Sequence, residues 1–498
     1  MELNILLLIL IPLVTAFLIP LVDIINVKIR RFVIISSVLA EVLVSLFIII
    51  SQYNLFLAGK LDLRYYLGGW SSMLGITLAL DSLSLIFSIL ISFSLALIII
   101  YSIGFIGHHE GKYYALIFLI LAAMQGTVLT GDIFNLHIFI ELITITSAAL
   151  VAFKRNREGI EATLKYIIYG VIGGLFFLVA VFLIYFNLGS LNIGIIASNF
   201  AQINIKMKTT IIALFLTSIL IKMGIFPFHF WLPKAHSVCP SSVSALLSGV
   251  LLKIYLYVFI RLFWDIFGFG LLKEVGLDYF MIYLALFSSI IGHILALQAD
   301  DVKKMLAYSS IGHVGMIVGV LLLNTPTALY GGLLHTISHL LLKTTLFLTV
   351  GYLIQYTNGH HVADFHGVAY RNPGIFIAFT LGILGMIGIP PLPGFYSKWY
   401  IVQAFIESGF VLAGVLVIGG SIISLFYYLR FIYRGYSLLD YEKKIKPQRV
   451  GVVLSAFYRE RIVTDVSYVM TSLVVFSGLF IWLFKQPLMV VVWALIGG

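Results

Sequence analysis

Charge is scarce in this sequence. Charged residues make up only 10% of its 498 positions while hydrophobic ones make up 61%, and the mean hydropathy is +1.09. Soluble domains carry about 25% charged residues, so the composition excludes a water-exposed globular chain. Cysteine is almost missing: Cys239 stands alone, which excludes a disulfide framework and a cysteine-held zinc or iron–sulfur site. No cofactor or metal is expected, and no nucleotide motif is seen, so the chain is not expected to be an enzyme by itself; any redox chemistry would fall to other subunits. A basic n-region is absent ahead of apolar residues 1–22, and the cluster Lys28, Arg30 and Arg31 comes after them, which reads as a retained first helix rather than a cleaved signal peptide. Nor is there a soluble domain, only short connectors and one basic segment near 435–465.

What is present is a succession of apolar runs near the 20 or so residues that a spanning helix needs. They predict helices over 3–22, 32–51, 78–104, 113–130, 132–153, 162–187, 209–233, 240–263, 276–298, 302–323, 327–354, 374–406, 410–434 and 466–490. The expected fold is thus an all-α membrane protein of about 14 transmembrane helices. Alternate connectors differ in charge: one set holds 20 lysines and arginines and the other, with the C-terminal end, holds seven. By the positive-inside rule this puts both termini outside a multi-pass protein of the cell membrane. It also explains the net charge of +10 as topology rather than nucleic-acid binding.

Four of the 31 basic residues belong to neither set: Lys222, Lys253, Lys343 and Lys398 all fall inside predicted helices. A charge at mid-bilayer costs roughly 2.5–3.5 kcal/mol on insertion scales, so such groups need partners or a wet path. Arginine cannot release its proton in a protein, whereas desolvated lysine can, and only lysines go deep here. Glu141 lies mid-helix and is read as the partner of Lys222, with a helix–helix hydrogen-bond clamp as the alternative. His335, His339 and Lys343 are spaced i, i+4, i+8 and line one stripe within leucine-rich sequence, the pattern of a hydrated channel wall. A metal at His335 and His339 would lack an acidic third ligand. His313, after Ser309 and Ser310, suits a hydroxyl–imidazole chain. Lys398 follows the Pro390-Pro391-Leu-Pro393-Gly394 break as a gate to bulk water, or as a snorkelling lysine. Glu41, Asp81, His293 and Glu407 receive no role.

Gly224-Ile-Phe-Pro227 is echoed by Gly388-Ile-Pro-Pro391, each beside a buried lysine and five predicted helices apart. An odd spacing inverts the second unit, so two inverted five-helix repeats are expected, each with a broken helix. The divisions are 1–112 for helices one to three, 113–265 and 266–434 for the repeats, and 435–498 for the basic cytoplasmic segment and last helix.

Several segments resemble the antiporter-like proton-pumping subunits of respiratory complex I, Mrp-type cation/proton antiporters, and membrane-bound hydrogenases with their sulfur-reducing relatives. They are Thr130-Gly-Asp-Ile-Phe-Asn135 through Glu141, Lys222-Met-Gly-Ile-Phe-Pro227 through Pro233, Pro240 through Lys253, Asp301-Val-Lys-Lys-Met-Leu-Ala-Tyr-Ser-Ser310, and Gly388 through Lys398. The resemblance runs from about residue 75 to 435 and looks closest to the D-type subunit of the Mrp antiporter and its hydrogenase counterpart. It implies a half-channel pair at Glu141 and Lys222, a central lysine at Lys253, a connecting relay of His335, His339 and Lys343, and an exit lysine at Lys398. It also implies a lipid-embedded subunit that moves protons beside other antiporter-like and small transmembrane subunits, in either a secondary antiporter or a redox-driven oxidoreductase complex, with sodium transport left open. A self-contained small-solute secondary transporter is the alternative.

Overall fold

The computed structural model describes residues 2–73, 75–106, 110–437 and 454–497. Among these, 12 helices are long and apolar enough to cross a membrane. The first two, α1 (Glu2–Ile25) and α2 (Val27–Leu57), lead into a hairpin of β1 (Asp62–Tyr66) and β2 (Thr77–Asp81). Next come α3 (Ser82–Phe105), α4 (Glu110–Leu129), α5 (Ile133–Val151) and α6 (Arg157–Leu188). The following helix is interrupted: α7 (Ile205–Met223) stops and α8 (Trp231–Val238) resumes after an irregular stretch. The long α9 (Ser241–Ile266) contains two π-helical segments. Then follow α10 (Asp278–Gln298), α11 (Val302–Leu321) and α12 (Pro326–Thr357). A second interrupted helix comprises α13 (Pro373–Ile387) and α14 (Pro393–Glu407), before α15 (Val411–Tyr436), α16 (Leu454–Leu479) and α17 (Lys485–Gly497).

The distribution of polarity is that of a protein in lipid. Outer helices turn apolar side chains away from the protein, such as Phe32, Leu39 and Ile50 on α2 and Leu175 and Phe182 on α6. The innermost helices are α9, α11 and α12, and these carry lysine, histidine, serine and threonine inward. Helical backbone satisfies its own hydrogen bonds, which is the condition for crossing hydrocarbon.

Both interruptions arise from the same chemistry. Gly224 and Gly388 take left-handed backbone (φ 66° and 95°) and close the ends of α7 and α13. Only glycine adopts that conformation without steric cost. Pro227, Pro390 and Pro391 then prevent the helix from resuming at once. The segments over 209–233 and 374–406, each expected to hold a broken helix, are accordingly each two pieces.

Two expectations need correction. The segment expected to begin a helix at residue 78 is strand as far as Asp81, because the alternating Thr-Leu-Ala-Leu-Asp pairs in register with β1 from Asp62↔Asp81 to Tyr66↔Thr77. Helix α3 starts at Ser82, with Asp81 as its N-cap in a capping box with Ser84. Instead of one helix over 466–490, α16 begins at Leu454, ends at Leu479, and is followed by a short turn and α17. Its charged start is tolerated because Glu460 accepts a hydrogen bond from Tyr352 at 2.6 Å and Arg459 pairs with Glu110 at 3.3 Å. Most of the basic segment expected near 435–465 lies outside the described residues.

Candidate functional site: a string of buried lysines and histidines

The string begins at the end of α7. Lys222, in its last turn, points its ammonium at Glu141 Oε1 on α5, 2.8 Å away. It also donates to Thr144 Oγ1 at 3.1 Å and to the Gly170 carbonyl at 3.3 Å. Lys222 is buried, and Glu141 keeps 24% of its side chain exposed, so the pair has one side open. Gly174 on α6 lies against the Glu141 carboxylate, where any Cβ would collide with it. Next to Lys222 is a small cavity bordered by Thr144, Tyr166, Trp231 and Tyr255, the last lying on α9 two residues past Lys253.

Lys253 lies on the most enclosed helix. A π-helical segment, Leu246–Leu251, widens α9 just before it, and the ammonium donates to the Ser248 carbonyl at 2.5 Å. Its other contact is His339 Nδ1 on α12, at 2.6 Å. The stripe on α12 then divides among three neighbours. His335 reaches α14 through Ser397 Oγ (2.8 Å) and α11 through His313 Nδ1 (3.0 Å). The rings of His313 and His339 are 5.2 Å apart, and the Nε2 atoms of both are buried without a hydrogen-bond partner among the described residues. Lys343 turns to α11, donating to the Leu306 carbonyl at 2.7 Å and to Ser309 Oγ.

Lys398 occupies the second break. Its ammonium donates to the Met386 and Ile387 carbonyls (2.8 and 3.0 Å) and to Ser421 Oγ (2.9 Å). Those carbonyls are in the final turn of α13, where a helix leaves acceptors unpaired and its dipole favours a cation. Each broken helix thus has a lysine at its point of failure. Ser397 joins the chain to His335, whereas the Lys398 head itself points away towards α15.

The structure brings Glu141 to Lys222, Lys253 to His339, and His313 to His335. Lys343 is on the expected stripe but bonds to neither histidine. Ser309 and Ser310 do not bond to His313 as expected: Ser310 pairs with Ser248 at 2.7 Å, and Ser309 lies 3.1 Å from the Tyr428 hydroxyl. His293 is drawn in, with its ring 5.3 Å from His313 and Nδ1 3.2 Å from the Tyr427 hydroxyl. Lys303, assigned to a connector by its position, is buried and donates to the Cys239 carbonyl at 2.8 Å. Sequence reasoning missed His236, fully buried and stacked on Phe347 at 4.9 Å. Its place beside the first proline break was the available signal.

A helical membrane protein with two interrupted helices and an enclosed string of exchangeable bases is the class that fold and site define. The family described as "NADH:quinone oxidoreductase/Mrp antiporter, TM" matches residues 130–424. The chain belongs to this family. It is 36% identical to "NADH-quinone oxidoreductase subunit N" of Desulforudis audaxviator (strain MP104C), covering 75% of each chain. It is 30% identical to the D-type subunit of the Na(+)/H(+) antiporter of Bacillus subtilis (strain 168), covering 73% of this chain and 74% of that one. A chain in the solved structure of "the membrane-bound sulfane sulfur reductase (MBS), an archaeal respiratory membrane complex" superposes with a TM-score of 0.89 at 27% identity, covering 100% of this chain and 98% of its own.

Proposed function

We propose that this chain carries protons through the membrane as one subunit of a larger complex, by a relay running from Glu141 and Lys222 through Lys253, His339, His335 and His313 to Lys398, with Lys343 in a side branch through Ser309. The observation that carries the reading is the 2.6 Å contact between Lys253 and His339 in an enclosed site. At that distance two bases share one proton, and either can hold it. Among the described residues, Glu141 is the only carboxylate that hydrogen-bonds to Lys222, Lys253, Lys343 or Lys398; the other partners are carbonyls, hydroxyls and an imidazole. The partially exposed Glu141 is the point at which a neighbouring subunit would weaken the pair with Lys222 and release its proton inward.

The two broken helices support a count of 14 spans, since α7 with α8 and α13 with α14 fall outside the 12 continuous ones. They likewise support inverted repeats over 113–265 and 266–434, flanked by 1–112 and 435–498. The uneven connector charge supports both termini outside. The assembly is of the Mrp antiporter or complex I-like type, with other antiporter-like and small membrane subunits as partners.

The test is proton transport by the complex in sealed vesicles. Lys253→Arg keeps the charge but will not exchange protons, so transport should fall at least tenfold with assembly intact. A fully active arginine variant would show that Lys253 is a fixed charge and that the relay does not pass through it.

A further inference from the structure

Glu41 has no place in the relay. It sits midway along α2, 2% exposed, among α2, α3 and α4. Its Oε1 accepts from Ser92 Oγ and from Gln125 Nε2, both at 3.1 Å. Gln125 Nε2 also bonds Ser92 Oγ at 2.7 Å, Ser88 Oγ donates to Gln125 Oε1 at 2.8 Å, and Ser45 Oγ donates to Ser92 Oγ at 2.9 Å. None of these partners is charged. The second oxygen, Oε2, is buried and has no hydrogen-bond partner among the described residues.

An ionised carboxylate facing only neutral groups is costly to bury, and the neutral acid is not. A metal cation would meet the side-chain amide of Gln125, which already donates to Oε1 and whose N–H repels positive charge. A single proton on Oε2 meets neither objection.

The surroundings also supply a route. Ser84, Ser88 and Ser92 recur every fourth residue of α3 and are all buried, so they form a ladder on one face with steps of about 6 Å. Single water molecules bridge hydroxyls at that spacing. The ladder ends at Asp81, whose carboxylate bonds to the Ser84 backbone N–H at 2.9 Å and to Arg261 at 2.5 Å and has 38% of its side chain exposed. In the opposite direction α2 buries Val38 and Ile34.

We propose that Glu41 is a second proton-binding site, separate from the lysine relay, and that the serine ladder of α3 connects it to the membrane face that carries Asp81. The site takes up a proton from that face and holds it as a neutral carboxylic acid within the N-terminal helices.

The test uses the full-length protein in its native membrane complex. Dicyclohexylcarbodiimide, which reacts with protonated carboxyls from the lipid phase, should modify Glu41 at neutral pH, as read by peptide mass spectrometry. Infrared difference spectra of Glu41→Gln against wild type should show one carboxylic-acid carbonyl band lost. In heavy water, Ser88→Val should slow the isotope shift of that band at least tenfold, and Ser88→Thr, which restores a hydroxyl, should recover the wild-type rate. Lys222→Ala should leave label and band unchanged, so failure of the relay and failure of this site are told apart. An unlabelled Glu41, a carboxylate signature at neutral pH, or protection by sodium ions would overturn the proton assignment. An isotope rate indifferent to Ser88→Val would overturn the route along α3.

Discussion

Each of the four lysines of the string has a different set of acceptors. Lys222 has a carboxylate, a hydroxyl and a carbonyl, Lys253 an imidazole and a carbonyl, Lys343 a carbonyl and a hydroxyl, and Lys398 two carbonyls at a helix end and a hydroxyl. Among the described residues, Lys222 is thus the one lysine of the four with an anion beside it. Removing one partner of that first pair leaves the other buried and unmatched. Lys222→Ala and Glu141→Ala should each abolish proton transport in vesicles while leaving the amount of membrane-inserted protein within about twofold of wild type. Undiminished transport in either variant would contradict the pair. Lys222 and Glu141 were legible in the sequence because a charged residue in an apolar run is conspicuous. The partners of Glu41 were not, since they are serines and a glutamine spread over three helices and carry no charge to betray them. Ser397 and Tyr427 were hidden for the same reason.

The helices themselves were legible from apolar run length alone, and the breaks from glycine followed by proline. What run length could not reveal is how each break is packed. Gly394, at the start of α14, presses its backbone against the Gly385 carbonyl of α13, leaving no room for a Cβ. Gly419 on α15 has open space where its Cβ would go. Gly394→Ala should therefore lower the midpoint of thermal aggregation in detergent by several degrees, while Gly419→Ala should leave it unchanged. Equal midpoints would mean that the two halves of the broken helix are not tightly joined. The hairpin escaped notice because five residues of alternation are short beside the apolar run that follows them. The start of α16 escaped because Glu460 is hydrogen-bonded by Tyr352 and Arg459 is paired with Glu110, partners that lie over 100 residues away in sequence.

At the scale of the whole molecule, the orientation proposed from charge asymmetry can be tested directly. A reporter fused after Arg461 in the full-length chain should report a cytoplasmic position, and an external signal would reverse the proposed topology. In the proposed relay, a neighbouring subunit acts at the partially exposed Glu141. Purifying the intact complex under mild conditions should bring further membrane chains with it, and a chain that transports protons alone would favour a self-contained transporter.

One long-range contact binds the two ends of the protein. Arg459 on α16 shares Glu110 with Arg30, which also pairs with Asp23. The α16 backbone at Arg459 lies against Gly104 of α3, and Gly478 further along packs against Pro391 in the second break. Helix α16 is thereby a strut that braces the interrupted helix of one half against the opening helices of the other. A chain cut short before it would retain every residue of the proposed relay and still lose the scaffolding that keeps them in line.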